Sequence, residues 1–205
     1  VSALSSDQLQ GFSTAQVVAL NTKQVDAIQT RDLTALTTAQ LVSLTTAQLA
    51  GLNTRQINTL ETTQTVALTT TQLQALATNQ ISGLNTSQVS ALTTAQLTAL
   101  TTAQVGAIET RDVQVLDTVQ VMSLTTSQIE ALNTRQIVVL DTSQVAVLTT
   151  AQVNALNTSQ ARAIETNQVI ALSTLQISSL NSAAVEALET RDLVLLSTDQ
   201  FAALT

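Results

Sequence analysis

The chain of 205 residues has no cysteine, proline, histidine, tryptophan or tyrosine, and only two phenylalanines and four glycines. Each absence closes a class of function. Without cysteine there is no disulfide framework, and the redox compartment cannot be read from thiol usage. Without histidine or cysteine there is no imidazole to activate the many serine and threonine hydroxyls, and no Cys-His metal site. Aromatic stacking platforms are missing, and seven cations against fourteen acids leave a net charge of −7, so a nucleic-acid footprint is missing too. No phosphate-cradling loop can be built from the four glycines. Threonine and glutamine interrupt every apolar stretch well before the length that a membrane helix needs.

What the chain does have is one motif, Leu-x-Thr-x-Gln-Val-x-Ala, repeated every eight residues without insertion or deletion. Labelling each octad a to h from Leu4, position a is Leu at all 26 sites except Phe12, Ile28, Ile108 and Ile164. Position c is Thr at 23 of 25 sites, with Ser6 and Ser182 as the others; position e is Gln at 21 of 25, the exceptions being Asp32, Asp112, Ala184 and Asp192. Position f is almost always Val, Leu or Ile, and h is mostly small. The varied positions b, d and g hold nearly all the charges, Lys23 among them. The uniform set a, c, e, f, h is therefore expected to face the interior or a repeated contact, and b, d, g to face solvent. A short fixed period of this kind predicts a quasi-one-dimensional array in which each unit touches only its neighbours. A lone octad buries too little apolar surface to order itself, so stacking on both sides is required.

A continuous helix cannot satisfy the pattern. Eight residues at about 100° each would rotate the apolar stripe by about 80° per repeat and wrap it round the cylinder. The chain must bend once per octad, and the bend is written at b, where Ser, Thr, Asn or Asp stands at 19 of 25 sites. Gln follows three residues later to complete a capping box, and a and f have the spacing of a hydrophobic staple. Leu36-Thr37-Thr38-Ala39-Gln40-Leu41 carries all three features. Each octad thus reads as a helix start, about two turns of helix, and a re-start. The alternative is a three-sided β-solenoid, favoured by the alternation of a, c, e with b, d and by Thr and Val as strand formers. Against it stand the abundant Ala, the capping box, and bends without Gly or Pro.

Columns of like residues recur at 24-residue spacing. At b, Asp117, Asp141, Glu165 and Glu189 form one run, and Thr125, Thr149, Ser173 and Ser197 another; at d, Arg31 precedes Arg55, and Arg111 precedes Arg135, by the same interval. These runs predict three octads per turn. Four acids stacked at the ~4.8 Å spacing of a β ladder would repel strongly, whereas the ~8–10 Å spacing of packed helices is tolerable in water. The fold expected is an all-α solenoid of short capped helices over residues 1–205 as one continuous array.

A longer period of 80 residues lies on top. Gln29-Thr30-Arg31-Asp32, Glu109-Thr110-Arg111-Asp112 and Glu189-Thr190-Arg191-Asp192 recur at that spacing, as do Asn53-Thr54-Arg55-Gln56 and Asn133-Thr134-Arg135-Gln136. Ten octads make three turns plus one octad, so equivalent arginines would fall on successive sides. Duplication of a block explains this by ancestry; a functional reading is that each side offers equivalent charges to a neighbouring molecule.

No catalytic, cofactor-binding or metal site is expected. Asp32, Asp112 and Asp192 stand third in their helices, where a negative charge suits the helix dipole. The column of Asp117, Asp141, Glu165 and Glu189 could offer oxygens to calcium, but no Asp-rich ligand loop supports it.

The octads resemble short Leu-Thr-x-x-Gln-Val-x-Ala arrays found inside very large secreted or surface-anchored bacterial proteins. The acidic, Thr-, Ala-, Asn- and Gln-rich, lysine-poor composition also resembles that of flagellins, surface-layer proteins and adhesins. The resemblance implies a structural, non-enzymatic rod outside a bacterial cell: a filament subunit, stalk or spacer that self-associates end to end or laterally. It implies no nucleic acid, membrane span or small-molecule substrate. The alternative it implies is an adhesin-like module using one side of the coil against a glycan, ice or a calcium-dependent partner. The chain opens at Val1 without Met or a signal-like segment, and both ends keep the repeat, so it reads as a mature piece or as part of a longer array.

Overall fold

Up to six residues of each octad form a helix and the rest form a corner. In Leu36–Ser43 the corner is Leu36 (φ −62°, ψ 135°) and Thr37 (φ −64°, ψ 156°), both extended, and the helix is Thr38–Ser43. The computed structural model describes residues 3–204, and among these it contains twenty-five helices, α1 (Ser6–Gln10) to α25 (Thr198–Ala202), and no strand. Each helix is 4–6 residues long, so the two turns expected per octad shorten to about one and a half. The corner takes the rest: the peptide N–H of the a residue closes the last turn onto the f carbonyl, as Leu36 does onto Leu33 at 3.2 Å, and the chain then leaves the helix. No residue among those described has a positive φ, so the corners need neither glycine nor proline.

Within α1 to α13, and again within α14 to α25, helices pack every third one. α1 packs on α4 (Thr30–Ala35), α2 (Thr14–Val18) on α5 (Thr38–Ser43), and α3 (Thr22–Asp26) on α6 (Thr46–Ala50). The expected three octads per turn are therefore found, and the all-α solenoid replaces the β alternative. The chain divides into two compact units, Val1–Ile108 and Glu109–Thr205, each a three-sided coil with this stacking. Leu, Val and Ile at a and f fill the axis of each coil; Leu41, Leu49, Leu73 and Leu97 at f are fully buried, and Leu44, Leu52 and Leu100 at a nearly so. These are the staple pairs, and their burial against the turns above and below is what a single octad lacks. No helix among the described residues is long and apolar enough to cross a membrane.

Position c, expected to face the interior or a repeated contact, takes the second role: Thr38, Thr46, Thr54 and most of their equivalents are exposed. As the first helical residue, c lies outside the apolar arc, and its methyl leans on the small h residue of the next turn. Thr22 Cβ would lie 3.5 Å from a Cβ placed at Gly51, and a methyl added at Gly83 would collide with Thr54 Cγ2. The small residues at h make room for that contact.

Candidate functional site

The one arrangement repeated throughout both coils is polar, and it lies in the corners. The corner residue at b caps its helix: Thr37 Oγ1 accepts from the Gln40 amide at 3.2 Å, and Gln40 Oε1 accepts from the Thr37 amide at 2.9 Å. The other end of the same side chain reaches the corner one turn earlier. Gln40 Nε2 donates toward the carbonyls of Leu9, Gln10 and Phe12 at 3.0, 3.0 and 2.7 Å. Gln160 does the same to Ile129, Glu130 and Leu132 at 2.7, 3.2 and 2.7 Å. One glutamine thus satisfies a helix start in its own turn and a helix end in the turn below, groups that an isolated short helix leaves orphaned. These glutamines are buried, and among the described residues no buried side-chain polar atom lacks a partner.

The exceptions show what the position requires. At Glu61, Ala77 and Glu165 the cap hydroxyl or amide is missing, yet the glutamine half remains, with Gln64, Gln80 and Gln168 accepting at 2.7–2.9 Å. Where Ala184 replaces glutamine, Asn181 takes over: its Oδ1 caps Ala184 at 2.9 Å and its Nδ2 donates to the Asn154 and Leu156 carbonyls at 2.7 and 2.9 Å. Asparagines and glutamines at g stitch the turns further, as Asn154 does to Ser179 and Gln74 to Ala99.

Asp32, Asp112 and Asp192 stand third in their helices, where they were expected, and at 1% exposed they share the burial of the other e residues. Ser6 donates to Asp32, and Thr166 to Asp192, from c positions 26 residues earlier. The preceding arginine lies at 3.5–3.6 Å from each carboxylate and shields it from outside, and Arg111 and Arg191 also pair with Glu109 and Glu189 at 2.8 and 3.0 Å. A carboxylate has no proton to give to the corner below. Asp192→Gln is therefore expected to stabilise the chain by about 1 kcal/mol, because the amide regains the Ala161, Arg162 and Ile164 carbonyls and the Glu189 N–H. Urea unfolding measures this, and an unchanged or lower midpoint refutes the donor role.

The acid column is stacked as expected, on α15 (Thr118–Ser123), α18 (Thr142–Ala146), α21 (Thr166–Ala171) and α24 (Thr190–Leu193). Asp117 and Asp141 turn to their own helices, accepting from Gln120 and Gln144 at 2.7 and 2.8 Å. Among the described residues no three acidic groups converge as metal ligands would. The Ser143 hydroxyl, followed by the Gln144 amide, holds the Asp141 carboxyl below the usual aspartate value of 3.8. The stability this adds is present above that value and is lost as pH falls through the lower folded one. Ser143→Ala should move the Asp141 titration, followed by NMR, upward toward 3.8.

The glutamine ladder was half legible. A capping box accepts Glu as well as Gln, so the near-exclusive choice of Gln at e was the signal that a donor is needed. A family model described as the ALTTAQ repeat matches residues 1–27, 25–62, 65–102, 105–142, 129–158, 137–174 and 161–194. Ala35-Leu36-Thr37-Thr38-Ala39-Gln40 spells that motif, covering one corner and its capping box. No curated protein matches the chain.

Proposed function

The chain belongs to the ALTTAQ repeat family, and from that premise we propose that this structural repeat protein serves as a stalk, spacer or filament subunit outside a bacterial cell. The observation that carries the reading is the corner glutamine. Its polar reach goes to holding turn to turn, as Gln160 holds Ile129 and Leu132, and glutamine stands at that position in 21 of 25 octads. Such a joint resists separation of neighbouring turns without presenting a reactive group. The hydroxyls have no histidine beside them, and the sole lysine, Lys23, is exposed, so no catalytic role is proposed.

The second reading is a binding module. It is favoured by the exposed column Thr125, Thr149, Ser173 and Ser197, which offers hydroxyls once per turn along one side. Electron microscopy over a concentration series separates the two. Fibres that grow in number with concentration support the structural role. Discrete particles that are retained only by a glycan or ice surface overturn it in favour of the second.

A further inference from the structure

Two neighbouring sides of the coil from Glu109 onward carry matching chemistry. One side stacks α14 (Thr110–Val113), α17 (Thr134–Val138), α20 (Thr158–Ala163) and α23 (Ser182–Ala187). Near its helix starts it bears Arg111 and Arg135, one turn apart. A shallow groove runs from the helix starts at Thr110, Thr134 and Arg135 to the helix ends at Val138, Val139 and Ala163, with Val138 40% exposed. The next side stacks α15, α18, α21 and α24. It bears Asp117, Asp141, Glu165 and Glu189 at the helix starts and the apolar row Met122, Ala146, Ile170 and Val194 near the helix ends. Met122, Ile170 and Val194 are 49%, 46% and 70% exposed. In the coil up to Ile108, the comparable apolar row of Val18, Val42 and Val66 begins from Ser13, Thr37 and Glu61, without an acid column.

We propose that these two sides dock on each other between two copies of this chain, with the coils antiparallel. Three observations select a second copy as the occupant. Arg111 and Glu189 are paired within their own sides, but among the described residues Arg135 forms no ion pair, and neither do Asp117, Asp141 and Glu165, so one arginine and three of the four acids keep unpaired charge within one molecule. The acids, the two arginines and the apolar row all advance once per turn of the same coil, so their spacings agree without adjustment; opposite that row the arginine side offers Val138, set between Gln114 and Arg162. Face to face, antiparallel coils bring helix starts against helix starts; Arg135 then meets the acids while Ile170 and Met122 meet the groove of Val138 and Val139. Parallel coils would set arginine against the apolar row. Pairing of the acid side with itself sets four carboxylates against four, which like-charge repulsion forbids. The contact is heterologous, since each copy offers a different side.

This pairing rests on the structural role proposed above and is tested on the full chain by sedimentation at rising concentration. The wild type is expected to self-associate, and less so as salt rises from about 0.05 to 0.5 M. Arg135→Glu and Ile170→Asp, both at exposed sites, should each weaken association at least tenfold while the circular dichroism stays helical. Glu165→Arg, which removes no helix cap, should act likewise. Arg55→Glu, an equally outward reversal in the other coil, should have no effect. Association insensitive to Arg135→Glu, or equally lost in Arg55→Glu, overturns the proposed faces. A wild type that stays monomeric and helical at millimolar concentration overturns the pairing while leaving a spacer role standing; a ligand-dependent particle in the microscope would instead sink that role.

Discussion

Replacing Gln88 by glutamate, a change of one heavy atom, should cost the coil about 3–5 kcal/mol at neutral pH. Gln88 is fully buried; its Nε2 donates to the Ile57 and Leu60 carbonyls at 2.8 and 2.7 Å, and its Oε1 accepts from Asn85 at 2.8 Å. Glutamate keeps the capping half and turns the other half into an oxygen facing two oxygens, with a charge added out of reach of water. The loss should be pH-dependent. A protonated carboxyl can donate to one carbonyl, so the folded state holds its proton above the usual glutamate value of about 4.3. The stability due to that proton is full below the usual value and is lost as pH rises through the folded one. Gln24→Glu is the control. Its side chain is exposed and its capping bond to Asn21, at 2.8 Å, survives the change, so the effect should stay within about 0.5 kcal/mol. Guanidinium unfolding at pH 7 and pH 4 reads both; equal effects at the two positions would refute the ladder as a source of stability.

Leu97→Ala should cost about 2–5 kcal/mol. Leu97 sits at f in α12 (Thr94–Ala99) with no exposed surface, and α12 packs on α9 (Thr70–Gln74). In an array held by neighbour contacts, the damage should be local. Hydrogen exchange is expected to rise first in α9 and α12 and last in α1 to α3. Uniform loss of protection through the coil would contradict nearest-neighbour stability.

The local half of this fold was legible because every signal for it lies within six residues. Asn85 and Gln88, or Thr37 and Gln40, announce a cap by their spacing alone, and the pairing of a with f fixes which stripe is buried. The number of octads per turn was legible from outward columns such as Arg31 with Arg55, since residues stacked on one side share surroundings. The partners of the glutamine amide were not legible, because the Leu9 and Phe12 carbonyls that meet Gln40 are backbone atoms 28–31 residues away and leave no residue-specific mark. Position c was legible only as interior or repeated contact, and the choice between them is set by Thr54 lying across a narrow gap from Gly83, 29 residues on. Asp32, Asp112 and Asp192 were legible as inward e residues third in their helices, but the hydroxyls that reach Asp32 and Asp192 from 26 residues earlier were not.

Because no corner among the described residues needs a positive φ or a cis peptide, the backbone asks for no special residue at any of these joints. A gene built this way can gain or lose eight codons anywhere along the repeat and still encode seamless octads. What changes is phase: every residue downstream moves round by one side of the coil, while a gain of three octads leaves each column in place. Length is thus heritable in small steps, and the surface pattern is the part that selection must re-set after all but every third of them.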